Sequence, residues 1–152
     1  MSETPTDSTY ILLAEDDADD RLLFREALNE VNANTCLSTV VDGEELMKTL
    51  HKNIQAETPL IVFLDLNMPK KNGFECLQEI RKTAKFKDVP IVVFSTSCQQ
   101  EAINKMYENG ASYYICKPNS FLKLKTSIEH ILSIGLKHLF PQPSMKDFVI
   151  SY

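Results

Sequence analysis

Leu60-Ile61-Val62-Phe63-Leu64-Asp65 sets the reading of the chain: five apolar residues in a row, then a carboxylate. An apolar run without polar alternation marks a strand covered on both faces, as in a parallel sheet flanked by helices. Working outward, Tyr10-Ile11-Leu12-Leu13-Ala14 and Ile91-Val92-Val93-Phe94 repeat the pattern, and 36–41 and 113–116 read as two further strands. Helical patterns fill the gaps. The first spans about 18–31, with Leu22, Leu23, Ala27, Leu28 and Val31 as its apolar stripe; the second opens at Gly43 and buries Leu46 and Leu50. A third starts near Gly73 with Phe74, Leu77 and Ile80. A fourth, about 99–109, carries Ala102, Ile103, Met106 and Tyr107 and stops at Gly110. The last runs from about Ser120 with Phe121, Leu124, Ile128, Ile131 and Leu132. Strict βα alternation with right-handed crossovers predicts an α/β fold: a doubly wound five-stranded parallel sheet in a three-layer sandwich.

We divide the chain into a flexible N-terminus at 1–8, one domain at 9–133 and a C-terminal tail at 134–152. Leu139-Phe140-Pro141-Gln142-Pro143 breaks any helix there, and the apolar end 147–152 has no βα partner. The 152 residues are 43% apolar and 24% charged, ordinary for a soluble globular domain with its own core. A net charge of −5 provides no basic field for nucleic acid or an anionic membrane. The apolar runs are strand-length, too short to cross a bilayer, and the start of the chain carries no signal-peptide pattern. Cys36, Cys76, Cys98 and Cys116 show neither CxxC nor metal spacing, so they read as reduced thiols of a cytoplasmic protein. Cys98 in particular reads as incidental.

Ligands of open parallel sheets bind outside the carboxyl ends of the strands. Those ends carry Glu15-Asp16-Asp17, Asp65-Leu66-Asn67, Ser95-Thr96-Ser97 and Lys117-Pro118. Crowded carboxylates repel unless a cation compensates, and an all-oxygen ligand set suits magnesium. A carboxylate can attack phosphorus, and phosphoryl transfer needs positive charge and hydrogen-bond donors on the oxygens. Each element also has an ordinary structural counterpart: acids favoured at a helix N-terminus, a Ser-Thr-Ser cap, a Lys-Pro turn. Their coincidence at consecutive ends of one sheet favours a site.

These residues resemble a known family. Ile11-Leu-Leu-Ala-Glu-Asp-Asp17, Leu64-Asp-Leu-Asn-Met-Pro69 with Asn72-Gly73, Val89-Pro-Ile-Val-Val-Phe-Ser95 and Gly110-Ala-Ser-Tyr-Tyr-Ile-Cys-Lys-Pro118 resemble the receiver domain of bacterial two-component response regulators over about 10–132. They look most like stand-alone receivers of the phytochrome-associated type. The resemblance implies a chemotaxis-regulator-like, flavodoxin-like (βα)5 sandwich of strand order 2-1-3-4-5. It implies Asp65 as phosphoacceptor, and a Mg2+ site from Asp16, Glu15, Asp65 and the backbone carbonyl of Asn67. It further implies Lys117 as the phosphate-binding lysine, Ser95 as the switch hydroxyl in preference to Thr96, and Tyr114 as the switch aromatic. Glu15 replaces a frequent Asp, Ser95 a frequent Thr, and the segment between Leu50 and Thr58 is longer than usual.

The expected function is a single-domain response regulator of a phosphorelay. A histidine kinase or histidine phosphotransfer protein donates, Asp65 accepts, and a protein-interaction face switches. It would be a phosphoacceptor rather than an enzyme, limited to magnesium-dependent self-phosphorylation and self-dephosphorylation. With no output domain in view, its output would be a downstream protein partner, a shuttled phosphoryl group, or a homodimer. Two alternatives come from other classes. A phosphate-independent module would keep the fold without the chemistry, against which the complete acid, hydroxyl and lysine set argues. An aspartyl phosphatase would need a second acid two residues past the nucleophile, where Asn67 stands.

Overall fold

The computed structural model describes residues 8–31, 34–53, 59–139 and 141–152, without the side chains of Asn53 and Lys137. The expected flexible start lies, except for Ser8, outside the described residues, as do 54–58 of the lengthened segment and Phe140 of the expected helix break. Strands β1 (Thr9–Ala14), β2 (Thr35–Val40), β3 (Leu60–Leu64), β4 (Ile91–Ser95) and β5 (Tyr113–Cys116) alternate with helices α1 (Ala18–Glu30), α2 (Gly43–Asn53), α3 (Gly73–Lys82), α4 (Gln100–Glu108) and α5 (Phe121–Ile134). After them come α6 (Leu136–Leu139), α7 (Met145–Phe148) and β6 (Val149–Ile150). All strand pairs are parallel, in the order β2-β1-β3-β4-β5-β6. The doubly wound sheet and its 2-1-3-4-5 order are therefore as the sequence implied.

The strands carry a core on each face because successive side chains point to opposite sides. Leu12, Ala14, Val62, Leu64 and Val93 pack with Leu46, Leu50, Leu77, Ile80, Ile103 and Met106 on one face. Ile11, Leu13, Ile61, Phe63, Val92 and Phe94 pack with Phe24, Leu28, Leu124, Ile128 and Ile131 on the other. That explains why β3 and β4 read as unbroken apolar runs.

Two features differ from the sequence reading. In α1 the buried residues are Phe24, Ala27 and Leu28, whereas Leu22 and Leu23 are 54% and 43% exposed. Phe24, Ala27, Leu28 and Val31 follow the i, i+3, i+4, i+7 spacing of one face, and the two leucines lie off it. Phe24 wins because its ring stands edge-on to Phe63 and Phe94, with centroids 5.0 and 5.7 Å away.

The tail also has a βα partner. Val149 and Ile150 pair with Tyr114 and Ile115, adding a sixth strand to the expected five. Gln142, between two prolines, donates to the Tyr107 and Ala111 carbonyls at 2.8 and 2.6 Å. The Tyr107 hydroxyl donates to the Pro143 carbonyl at 2.8 Å. Phe148, fully buried, packs 4.9 Å from the ring of Tyr107 and 6.2 Å from that of Tyr114. Proline breaks the helical ladder, but side-chain bonds and one aromatic anchor take its place.

Candidate functional site

Glu15, Asp65 and Lys117 each follow a strand, and their backbones continue its sheet hydrogen bonding by one residue. Glu15 N–H donates to the Val40 carbonyl, Asp65 N–H to that of Ala14, and Lys117 N–H to that of Ser95, at 2.8–3.0 Å. The polar residue after each apolar run thus keeps strand-like placement while its side chain reaches the rim. Asp17 has a different task. It caps α1, its carboxylate accepting from Asp20 N–H at 3.0 Å.

The three strand ends meet. Carboxylate oxygens of Glu15, Asp16 and Asp65 lie within 4.8 Å of one another. Glu15 is 1% and Asp65 5% exposed, while Asp16 is open to solvent. Lys117 Nζ donates to Glu15 Oε1 at 2.7 Å and to Asp20 Oδ2 at 2.9 Å, and stands 3.9 Å from Asp65 Oδ2. It also lies 5.2 Å from the centroid of the Phe94 ring. Asn67 is exposed, and its N–H points at Asp65 Oδ1 from 3.5 Å.

Burial decides the electrostatics. It pushes Glu15 up to about 7 from an ordinary 4.5, more than its bond to Lys117 holds it down, and the charge on Asp65 adds to the rise. Burial likewise raises Asp65, against the pull of Lys117. For Lys117, burial opposes the charge, but its bonds to Glu15 and Asp20 and the charge of Asp65 prevail, so it stays protonated above its usual range. One ammonium therefore does not compensate the cluster, whose hard oxygen donors suit a divalent cation.

Ser95 is fully buried, and its Oγ accepts from Ser97 N–H at 3.1 Å. Thr96, by contrast, is exposed. Tyr114 is also fully buried, and its hydroxyl donates to the Ser97 carbonyl at 2.5 Å. Gly73, at the start of α3, lies against the acceptor's own backbone. A Cβ there would stand 2.4 Å from the Asp65 carbonyl oxygen and 2.8 Å from Leu66 Cα.

The sequence reading missed two neighbours of this site. Asp20 reads as one acid of a helix start, and nothing local links it to a lysine 97 residues away. Cys98 and Cys116, read from the sequence as unrelated thiols, lie side by side, with Cα atoms 5.7 Å apart, a separation that a disulfide spans. Register is the cause. Ser95 lies opposite Cys116, and the loop after β4 carries Cys98 back over that strand end. Cys36 and Cys76 are free.

The model of the response regulator receiver domain matches residues 11–129. The chain belongs to this family. Response regulator Rcp1 of Synechocystis sp. is 31% identical over 140 residues, 90% of this chain and 95% of Rcp1. The probable methanogenesis regulatory protein FilR2 of Methanothrix harundinacea is 31% identical over 127 residues, 82% of each chain. Among solved structures, the phosphorylated cyanobacterial phytochrome response regulator RcpA superposes with a TM-score of 0.76 at 34% identity, over 85% of this chain and 94% of that one. The Mn(2+)-bound form of Rcp1 gives 0.73 at 30% identity, over 90% and 99%. This receiver is thus a two-component signalling domain similar to phytochrome response regulators, and receivers are phosphoacceptor switches rather than ordinary enzymes. Among the described residues no helix is long and apolar enough to cross a membrane.

Proposed function

We propose that this receiver takes a phosphoryl group onto Asp65 from the phosphohistidine of a histidine kinase or phosphotransfer protein. The supporting observation is the buried Glu15–Asp65 pair, left short of positive charge by a single ammonium. Glu15, Asp16 and Asp65, with the Asn67 backbone carbonyl, would hold Mg2+. The match to Mn(2+)-bound Rcp1 supports that choice of site. Bound there, the metal would neutralise charge on the transferring oxygens.

An Asp65 carboxylate oxygen forms the new O–P bond in line as the N–P bond of phosphohistidine breaks and the imidazole leaves. Lys117 is the residue that follows the charge. Its ammonium, 3.9 Å from Asp65 Oδ2, turns from Asp20 toward a phosphoryl oxygen. The Ser95 hydroxyl, whose Oγ accepts from Ser97 N–H, donates its proton to another of those oxygens. Tyr114, bonded to the same loop and packed on Phe148, passes that shift to α4, β5 and the tail docked on them. The partner there is a downstream protein or a second copy of the chain. The donor chemistry, fed by ATP, puts the protein in the cytoplasm.

Asp65→Asn tests the assignment. Phosphotransfer from a labelled kinase or from acetyl phosphate should label the wild-type chain and leave the variant unlabelled. Undiminished label in Asp65→Asn would place the acceptor elsewhere.

A further inference from the structure

Cys98 and Cys116 take no part in the chemistry above, yet they bracket the moving parts of the site. Cys98 is exposed in the loop between β4 and α4, and Cys116, half-buried, ends β5 immediately before Lys117. Their Cα separation of 5.7 Å falls inside the range that a disulfide spans without backbone movement. Between Ser95 and Cys98 sits Ser97, whose N–H donates to Ser95 Oγ and whose carbonyl receives the Tyr114 hydroxyl. A bond between the sulfurs ties that loop to the strand that bears Tyr114 and leads into Lys117. The two other thiols are placed differently. Cys76 is buried, which pushes it up to about 12, out of reach of thiolate chemistry. Cys36, exposed on β2, has no such partner on the opposing strand end.

We propose that Cys98 and Cys116 are a second modification site of this receiver, a reversible dithiol–disulfide pair that exchanges with small disulfides of the glutathione class and, when oxidised, fixes the loop at 96–99 onto β5. Exposed Cys98 reacts first. Its thiolate attacks the small disulfide, forming a mixed disulfide and releasing one small thiol. Cys116 then attacks the Cys98 sulfur, closing the intramolecular bond and releasing the second thiol. Two protein thiols are oxidised and one small disulfide is reduced to two thiols, with the protons passing to the products. Intracellular disulfides of this kind are typically transient and regulatory, which suits a strand end beside a switch. Because the loop also carries the partners of Ser95 and Tyr114, oxidation changes the response to phosphorylation. That coupling, unlike the cross-link itself, rests on the function proposed above.

The test takes the full chain through glutathione buffers from fully reduced to fully oxidised, followed by acid quenching, alkylation and peptide mapping. Two of the four thiols should be lost together, on Cys98 and Cys116, joined in one peptide pair and recovered by dithiothreitol. Amide exchange at 96–99 should slow in the oxidised chain and stay unchanged by oxidant in Cys98→Ser, an exposed position whose substitution leaves the core intact. Separate glutathione adducts on the two cysteines, or full alkylation of both throughout, would overturn the site. Asp65→Asn should cross-link like the wild type, so failure of phosphorylation leaves this result standing. Affinity for beryllofluoride with Mg2+ should differ about fivefold or more between oxidised and reduced wild type. Equal affinities in a chain that does cross-link would overturn the coupling alone.

Discussion

At the residue scale the site is a contest between burial and charge, and Glu15 shows its sign. The Glu15 carboxyl is pushed up from 4.5 to about 7, so between those values the folded chain binds a proton that the unfolded chain has released. Its contribution to stability is fully present below 4.5 and is lost as pH rises through 7. Without divalent metal, urea unfolding at pH 5 and pH 8 should show a loss of up to ~3 kcal/mol at the higher pH. Added Mg2+ should recover much of it, because ligands must deprotonate to bind a metal. Higher stability at pH 8 in chelator would refute this account. Lys117 sharpens the effect. Lys117→Met leaves two buried carboxylates facing each other, and should cost ~3 kcal/mol at pH 8 but clearly less at pH 5, where Glu15 is protonated. Equal losses at the two pH values would mean that the lysine acts by packing, not by charge.

At the scale of elements, the turn from β3 into α3 places the acceptor. Asn72 caps α3 reciprocally, its side chain accepting from Glu75 N–H while the Glu75 carboxylate accepts from Asn72 N–H, both at 2.9 Å. Asn72→Ala should lower stability by about 1 kcal/mol in denaturant titration. Gly73→Ala should be worse for phosphoryl labelling than for folding. Its Cβ would press on the Asp65 carbonyl, a backbone atom that cannot give way cheaply. We expect ~1–3 kcal/mol of overpacking and a slower labelling rate; wild-type labelling would show that the turn absorbs the methyl without moving Asp65. These elements were legible for a physical reason. β1, β3 and β4 are covered on both faces, so each appears as an apolar run closed by a polar residue, and two of those residues, Glu15 and Asp65, meet at the rim. The phase of α1 was harder to read, because Leu22, Leu23 and Phe24 are consecutive and the choice among them depends on Phe63 and Phe94, far away in sequence. Asp20 and the Cys98–Cys116 pair were illegible for the same reason: strand register, not local pattern, makes them neighbours. β6 pairs through two residues, too few to display any period.

At the scale of the whole molecule, the tail is held chiefly by Phe148. Its buried ring bridges Tyr107 of α4 and Tyr114 of β5. Phe148→Ala should lose about 3 kcal/mol in thermal or denaturant unfolding, whereas a loss near zero would mean that the tail does not dock in solution. The docked tail also decides what the domain presents to other chains. Tyr113-Tyr114-Ile115-Cys116 is a short, uncharged, mostly apolar strand, and without its neighbour it would offer unpaired N–H and C=O groups along the margin of the sheet. Val149 and Ile150 satisfy part of that ladder and leave a margin only two residues long. The last strand is therefore a guard against aggregation, and a chain whose tail is undocked should be the one that precipitates on concentration.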